Sequence, residues 1–204
     1  MRALRLALWF LVAIALFVLG ALTVSGFPWR DATSNGNAAA LDPGAPLGGA
    51  FSLVDHSGQP VSKAIFREKP SITLFGFTHC PDVCPTGLMQ MAAWAESLGP
   101  DADRLRFIFV TVDPERDDPA TMGNYVAAFS PRIVGVTGEP EKVQAMLADY
   151  KIYSAKVPLE GNDYTMDHTA SMILQDADGN FVGTISREEN SDTALAKLRR
   201  LVAG

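Results

Sequence analysis

From Ser71 onward, the chain alternates short apolar runs with segments of helical periodicity. The runs SITLFGF (71–77), RLRFIFVTV (104–112) and RIVGVTG (132–138) have the length and composition of buried strands. A helical segment follows each run, and the second of these segments begins with Asp-Pro, a common helix start. Strand–helix alternation of this kind predicts a sheet rich in parallel strands, with helices on its faces.

The end of the chain adds an antiparallel element to this pattern. ASMILQDADGNFVGTIS (170–186) contains two strand-like runs around Asp-Gly-Asn, a sequence that favours a hairpin turn. SDTALAKLRRLVA (191–203) is an amphipathic closing helix with a polar residue at its start. The predicted order is β-α-β-α-β-α-β-β-α, an α/β fold with a mixed central sheet and helices on both faces.

Both cysteines of the chain, Cys80 and Cys84, lie in FGFTHCPDVCP, between the first long strand and the next helix. A helix N-terminus has unpaired N–H groups and the positive end of the helix dipole, which stabilise thiolates. A structural disulfide across so short a loop contributes only about 2 kcal/mol, so it is the least favoured use of the pair. Sulfurs at positions i and i+4 share one helix face, so they can form a redox couple or bind one metal ion. These two uses of the pair remain open.

Three histidines are candidates for a third metal ligand. His56 lies in a turn, and His79 adjoins Cys80, so its side chain should diverge from the thiol. His168, in YTMDHTASMIL, precedes the next sheet strand, and in a thioredoxin-like topology that loop faces the helix that carries the cysteines. Two thiolates and an imidazole suit Cu(I), with Cu(II) also accessible, whereas a closed zinc site usually has a fourth protein ligand.

Three stretches together resemble the Sco/SenC family of copper-binding proteins: FGFTHCPDVCPTGL, FVTVDPERDDP and YTMDHTASMILQDADGNFVG. The resemblance runs from about Gly49 to the last helix. It implies a thioredoxin-like fold for residues 49–204, with copper held by Cys80, Cys84 and His168. It also implies a membrane-tethered copper chaperone that helps to assemble the CuA centre in subunit II of cytochrome c oxidase.

The same residues support a second hypothesis, a thiol–disulfide reductase that keeps the copper-binding cysteines of the target reduced. Copper binds only the reduced pair, so a carrier requires a thiol reductant as well as a periplasmic copper donor. A peroxidase is disfavoured, because Thr78 lies two residues before Cys80, outside the Pro-x-x-x-Thr-x-x-Cys pattern of peroxiredoxins. His168 discriminates between the first two hypotheses, since a reductase has little need of it.

Acidic residues accompany the predicted ligands. Asp167 precedes His168 and could either orient its imidazole through a hydrogen bond or cap the turn. The charged stretch DPERDD follows the second strand, at the sheet edge where the cysteines are expected. We interpret Glu115 and Asp117 as parts of a charged loop and helix cap, and leave open whether Asp113 tunes the thiols.

The first thirty residues predict a single transmembrane helix. No charged residue occurs from Leu6 to Val24, and these 19 residues are enough to cross a bilayer. A cleaved signal peptide is the alternative, although its apolar region is usually shorter and ALTVSG is a weak cleavage site. Arg2 and Arg5 precede the span, which places the bulk of the chain outside the cytoplasm.

The segment that follows lacks apolar periodicity and consists mostly of Ala, Gly, Pro, Asn and Asp, which predicts a flexible tether. The expected organisation is a cytoplasmic N-terminus (1–5), an anchor (6–25), a tether (26–48) and a periplasmic domain, in a bacterial inner membrane. Residues 31–204 contain all 23 acidic residues and 14 of the 17 basic ones, a net charge of −9. Such a domain is a poor partner for nucleic acid or an anionic lipid surface.

The predicted orientation can be tested with a reporter enzyme that is active only outside the cytoplasm. Fused after Gly204, the reporter should be active, because Arg2 and Arg5 keep the N-terminus inside. A fusion that works only with a cytoplasmic reporter would overturn the orientation. Recovery of the mature chain as a soluble periplasmic protein would show instead that the apolar segment is a cleaved signal peptide.

Overall fold

The structure is a computed structural model that describes Trp9, Ile14 and residues 41–204. The predicted anchor at residues 6–25, apart from Trp9 and Ile14, lies outside the described residues, as does the N-terminal part of the predicted tether. In the part of the chain that the structure does describe, no helix combines the length and the apolar character needed to cross a bilayer.

Residues 41–204 contain one large mixed sheet and a separate two-stranded hairpin. The strands are β1 (Ser52–Asp55), β2 (Pro60–Ser62), β3 (Ser71–Gly76), β4 (Arg106–Thr111), β5 (Ile133–Thr137), β6 (Ser154–Pro158), β7 (Tyr164–His168), β8 (Met172–Gln175) and β9 (Phe181–Ile185). The α-helices are α1 (Val83–Leu98), α2 (Pro119–Ala127), α3 (Pro140–Asp149) and α4 (Ser191–Ala203).

The large sheet has the strand order β2-β1-β5-β4-β3-β8-β9. Strands β3, β4 and β5 are parallel, and the other pairings are antiparallel. This topology confirms the predicted thioredoxin-like α/β fold with a mixed central sheet. The sequence pattern does not predict strands β1, β2, β6 and β7, because they are three to five residues long and partly exposed, without a continuous apolar run.

Strand β3 is enclosed on both faces, and all six of its residues are buried. Helix α1 covers one face, since a Cβ added at Gly87 would lie 2.9 Å from the Leu74 side chain. Tyr150, which follows α3, packs on Phe75 from the other face, with ring centroids 5.8 Å apart. Successive strand residues point to opposite faces, so helices cover both sides, as the mainly apolar sequence of β3 predicts.

The folded unit begins earlier than the sequence pattern predicts. The N–H of Gly44 donates to the carbonyl of Phe181 at 2.7 Å, and the N–H of Phe181 donates to the carbonyl of Ala45 at 2.9 Å. Leu47 is buried in the core. Residues 41–48, assigned to the tether from their composition, therefore belong to the same folded unit as the sheet. The sequence does not predict this because residues 41–48 are irregular and pair with β9 through only a few backbone groups, which leaves no periodic pattern of apolar residues.

Gly76, the last residue of β3, provides the space in which one of the two thiols lies. A Cβ at this position would be 2.6 Å from the Sγ of Cys84 and 2.8 Å from the ring of Phe109. Both neighbours are fully buried and cannot move into solvent. We expect Gly76→Ala to lower the free energy of unfolding by about 1–3 kcal/mol through overpacking, as measured by urea denaturation of the reduced chain.

Gly183→Ala in β9 is the matched control, since a Cβ there meets no atom within 4 Å. Its effect should be neutral or slightly stabilising, because alanine restricts the unfolded chain more than glycine does. Equal stability of the Gly76→Ala and Gly183→Ala variants would contradict the tight packing of Cys84 against the end of β3.

Candidate functional site

The cysteine loop, residues 77–82, connects the end of β3 to the start of α1. Cys80 lies in this loop and is partly exposed, whereas Cys84 lies in the first turn of α1 and is fully buried; both thiols are free. Asp82 precedes the helix but makes no side-chain capping hydrogen bond. Instead, the N–H of Cys84 donates to the Sγ of Cys80 at 3.4 Å. The Cys80 sulfur therefore acts as the acceptor that a helix N-terminus requires.

The two thiols differ in acidity because they share one hydrogen bond. The Cys84 thiol donates to the Cys80 sulfur, and this bond, with backbone N–H groups of residues 82–84, lowers the pKa of Cys80 to about 5, although partial burial opposes the shift. The same hydrogen bond, reinforced by burial, raises the pKa of Cys84 well above its usual range. At neutral pH the pair therefore holds a thiolate at Cys80 and a proton at Cys84.

The imidazole of His168, at the end of β7, lies beside the buried thiol. Its Nε2 is 3.7 Å from the Sγ of Cys84, and its Nδ1 is 2.9 Å from the carbonyl oxygen of Thr169. A carbonyl only accepts, so in the neutral imidazole Nδ1 carries the proton and the lone pair of Nε2 is directed toward Cys84. The ring of Phe77 packs against the imidazole edge to face, with centroids 5.8 Å apart.

The distance between the Sγ of Cys84 and the Nε2 of His168 suits two ligands of one metal ion. With bond lengths of about 2.3 Å for thiolate and about 2.0 Å for imidazole, an angle near 120° separates the donor atoms by roughly 3.7 Å. The Cys80 sulfur, which accepts the N–H of Cys84 at 3.4 Å, is the third candidate donor at this sheet edge. Within residues 41–204, no three His, Cys, Asp or Glu side chains form a complete metal-binding cluster.

Asp117 is a buried part of the site that the sequence interpretation missed. Its carboxylate accepts hydrogen bonds from the N–H and hydroxyl of Thr78, at 3.1 and 2.6 Å, and from the hydroxyl of Thr111, at 2.7 Å. Burial raises the pKa of Asp117 although these hydrogen bonds oppose the shift. The expected helix cap is Asp118 instead, which accepts from the N–H of Thr121. The sequence contained one signal for this role. Two Asp residues precede Pro119, and a helix start uses only one of them as its cap, so the other is available for a different contact.

The two acidic residues considered as supports for the ligands have different positions. Asp113 is 1% exposed and binds Arg116 and the hydroxyl of Tyr164, not the thiols. Asp167 is exposed and pairs with Ala155 across the β6–β7 hairpin. Successive strand residues point to opposite faces, so Asp167 diverges from His168. Of the two roles left open for Asp167, orienting the imidazole belongs instead to the backbone carbonyl of Thr169.

The other two histidines have separate hydrogen-bond partners. The Nδ1 of His56 accepts the N–H of Gly135 at 3.1 Å, which ties the turn after β1 to β5. The Nδ1 of His79 lies 3.1 Å from the hydroxyl of Thr78, and its side chain is 53% exposed. His168 is therefore the histidine that the fold brings to the thiol pair.

Comparison with known proteins gives consistent matches for the folded unit. The model of the SCO1/SenC family matches residues 39–203. The mouse protein SCO2 homolog, mitochondrial, is 40% identical over 158 residues, which make up 76% of this chain and 62% of the mouse protein. The chain thus covers less than two thirds of the length of that relative.

Solved structures of bacterial and yeast proteins are similar over the same region. Bradyrhizobium japonicum ScoI with copper bound is 43% identical, with a TM-score of 0.72 over 76% of this chain and 99% of that one. Yeast Sco1 with copper bound is 34% identical, with a TM-score of 0.71 over 78% of this chain and 90% of that one. The match to the family model and these sequence identities show that the chain belongs to the SCO1/SenC family.

Proposed function

We propose that this protein is a copper carrier that holds its cargo through Cys80, Cys84 and His168. The observation that carries the proposal is the convergence of a thiolate, a buried thiol and an Nε2 lone pair at one sheet edge. Two sulfur donors and one imidazole are soft to borderline ligands, which favour Cu(I) and also accept Cu(II). Copper-bound relatives with the same fold support this choice of metal.

The unequal thiols suggest how the cargo enters and leaves. Cys80 is partly exposed and already deprotonated at neutral pH, so it offers the first ligand to an arriving ion. Cys84 must then lose its proton to bind, and copper uptake should therefore release a proton. Because Cys84 is buried, a partner that removes the ion can approach the ion from the side of Cys80 and His168.

The proposed target is the CuA centre in subunit II of cytochrome c oxidase, as the family resemblance implies. A periplasmic copper donor and a thiol reductant complete the expected set of partners. We further propose that the uncharged segment at residues 6–25 anchors the chain in a bacterial inner membrane. The intervening segment would then allow the copper-binding domain to reach a membrane-bound partner.

A thiol–disulfide reductase is the second candidate function, and the acidity of Cys80 favours it. A reductase needs an accessible thiolate that attacks the target disulfide and a second thiol that then displaces the target. Cys80 and Cys84 have these properties, respectively. Reduction of the target would oxidise the pair to a disulfide, which a thiol reductant must reduce again. His168 has no necessary part in this exchange.

Removing the imidazole should separate the two copper oxidation states. Two thiolates can hold Cu(I), so His168→Ala should keep Cu(I) binding, whereas Cu(II) loses its only nitrogen side-chain ligand. We expect Cu(II) affinity to fall by more than the roughly 10–100-fold that loss of an outer hydrogen-bond partner costs. Titration of the reduced full-length chain, followed by EPR and by the thiolate-to-copper absorption band, measures this change.

His79→Ala is the matched control, because it removes an imidazole next to Cys80 whose Nδ1 faces the hydroxyl of Thr78; this variant should bind copper normally. In cells with scarce copper, a strain with His168→Ala alone should assemble little active oxidase and should recover with added copper. Normal oxidase in that strain, together with failure of Cys80→Ser, would reject the carrier and favour the reductase.

The thiolate at Cys80 predicts an unusual pH profile of alkylation. Only the thiolate reacts with iodoacetamide, so a pKa lowered to about 5 keeps Cys80 reactive down to about that pH. In Cys84→Ala the main hydrogen-bond donor is lost, and the inflection should move up toward the ordinary thiol value of about 8.5. His168→Ala should leave the inflection near pH 5, and a wild-type inflection at the ordinary thiol value would disprove the assignment.

A further inference from the structure

The β6–β7 hairpin carries His168 but does not share backbone hydrogen bonds with the large sheet in residues 41–204. The cysteines, by contrast, lie on the loop and helix that leave central strand β3. Met166 on the hairpin is buried, yet nonpolar packing is not directional. The short link of residues 169–171 joins His168 to β8 of the large sheet. Beyond this link and the packing, side chains with defined hydrogen-bond geometry fix the position of the imidazole relative to the thiols.

Three side chains provide such geometry, and we call them the hairpin clamp: Asp113, Arg116 and Tyr164. Arg116 donates from Nη1 to the backbone carbonyl of Tyr164 at 2.9 Å, and from Nε to the carboxylate of Asp113. The hydroxyl of Tyr164 donates to the other oxygen of that carboxylate at 2.8 Å. One carboxylate of the loop after β4 thus binds both an arginine of its own loop and the first residue of β7.

Burial makes this arrangement more costly to break than an ordinary surface ion pair. Asp113 is 1% exposed and Arg116 is 20% exposed at the side chain, so solvent screens their interaction only weakly. The neighbouring pair of Lys156 and Glu115 also joins the hairpin to this loop. Both of its members are largely exposed, and such pairs contribute little to stability. The directional contact between loop and hairpin therefore lies in the clamp.

Arg116 also connects the hairpin to the residue that packs on the imidazole. Its guanidinium carbon lies 3.8 Å from the ring centroid of Tyr164 and 5.9 Å from that of Phe77. The ring of Phe77 contacts the imidazole of His168 edge to face. Tyr164 and His168 are four residues apart on β7, so they lie on the same face of the hairpin. The guanidinium thus touches both the hairpin and the aromatic neighbour of the ligand.

We propose that Arg116, held by Asp113, is the positioning residue that sets the distance of the His168 imidazole from the thiol pair. Arg116 touches none of the donor atoms and acts through Tyr164 and Phe77. This inference rests on the proposed copper function, since it assigns a purpose to the position of His168. If Arg116 positions His168, then the affinity for Cu(II), the oxidation state that depends on the imidazole, is set partly by the loop after β4.

Arg116→Lys tests the inference, because lysine keeps the charge but lacks the planar fork and the flat surface that covers the rings. In the reduced full-length chain, we expect Cu(II) affinity to fall about 10–100-fold, with an EPR spectrum approaching that of His168→Ala. Cu(I) affinity should stay near the wild-type value. Tyr164→Phe, which keeps the ring and loses only the hydroxyl, should give a smaller change in the same direction.

Arg132→Lys is the matched control, since Arg132 binds Asp103 at the opposite edge of the sheet; it should behave as wild type. A second readout needs no copper. In the wild-type chain, imidazole ¹⁵N NMR should show His168 protonated at Nδ1, as the contact with Thr169 requires. In Arg116→Lys the same resonances should show averaging between the two tautomers.

The outcomes separate the inference from the proposed function. Wild-type Cu(II) binding and an unchanged imidazole spectrum in Arg116→Lys, with Cu(II) binding lost in His168→Ala, would overturn the inference alone. Equal losses of Cu(I) affinity, Cu(II) affinity and thermal stability in Arg116→Lys would also overturn it, because they indicate a general structural role. Wild-type Cu(II) binding in His168→Ala would reject the copper site itself, whereas tautomer averaging in Arg116→Lys would still show that Arg116 positions the ring.

Discussion

The parallel pairing of β3 with β4 is the constraint on which the site depends. It places Gly76 opposite Thr111, so the cysteine loop and the loop after β4 leave the sheet side by side. Thr78 from one loop and Thr111 from the strand end then reach the same buried carboxylate, that of Asp117. A slip of one residue would turn these side chains to the other face and separate the three groups.

At this edge, the chain brings together side chains of different acidity from different parts of the fold. The thiols are fixed by the start of α1 and by the space at Gly76, and their shared hydrogen bond makes one a thiolate and the other a thiol. The imidazole comes from a hairpin outside the large sheet. For the proposed carrier, this division allows two sulfur ligands to be constant while the nitrogen ligand depends on how the hairpin is held.

The apolar runs of β3, β4 and β5 predict the central strands well, because strands buried on both faces have a nearly continuous apolar sequence. The β6–β7 hairpin is not predicted, since most of its residues are partly or fully exposed. The sequence favours a charged loop and helix cap for Asp117, although the residue is fully buried. A sequence shows that an aspartate is present, but its burial depends on hydroxyl donors 39 and 6 residues away.

The local sequence by itself determined the strand–helix junction and the place of Cys80 and Cys84 at that junction, and it supplied the sulfur and imidazole groups of the proposed donor set. These properties depend on short-range periodicity and on residue chemistry. Only the tertiary structure decided that a backbone carbonyl, and not Asp167, orients His168, and that Arg116 lies between the hairpin and Phe77. The contacts of Arg116 join residues far apart in the chain, and the orientation of His168 depends on the backbone conformation at the end of the hairpin. The strand register and hairpin packing that create these contacts are not encoded in any single segment.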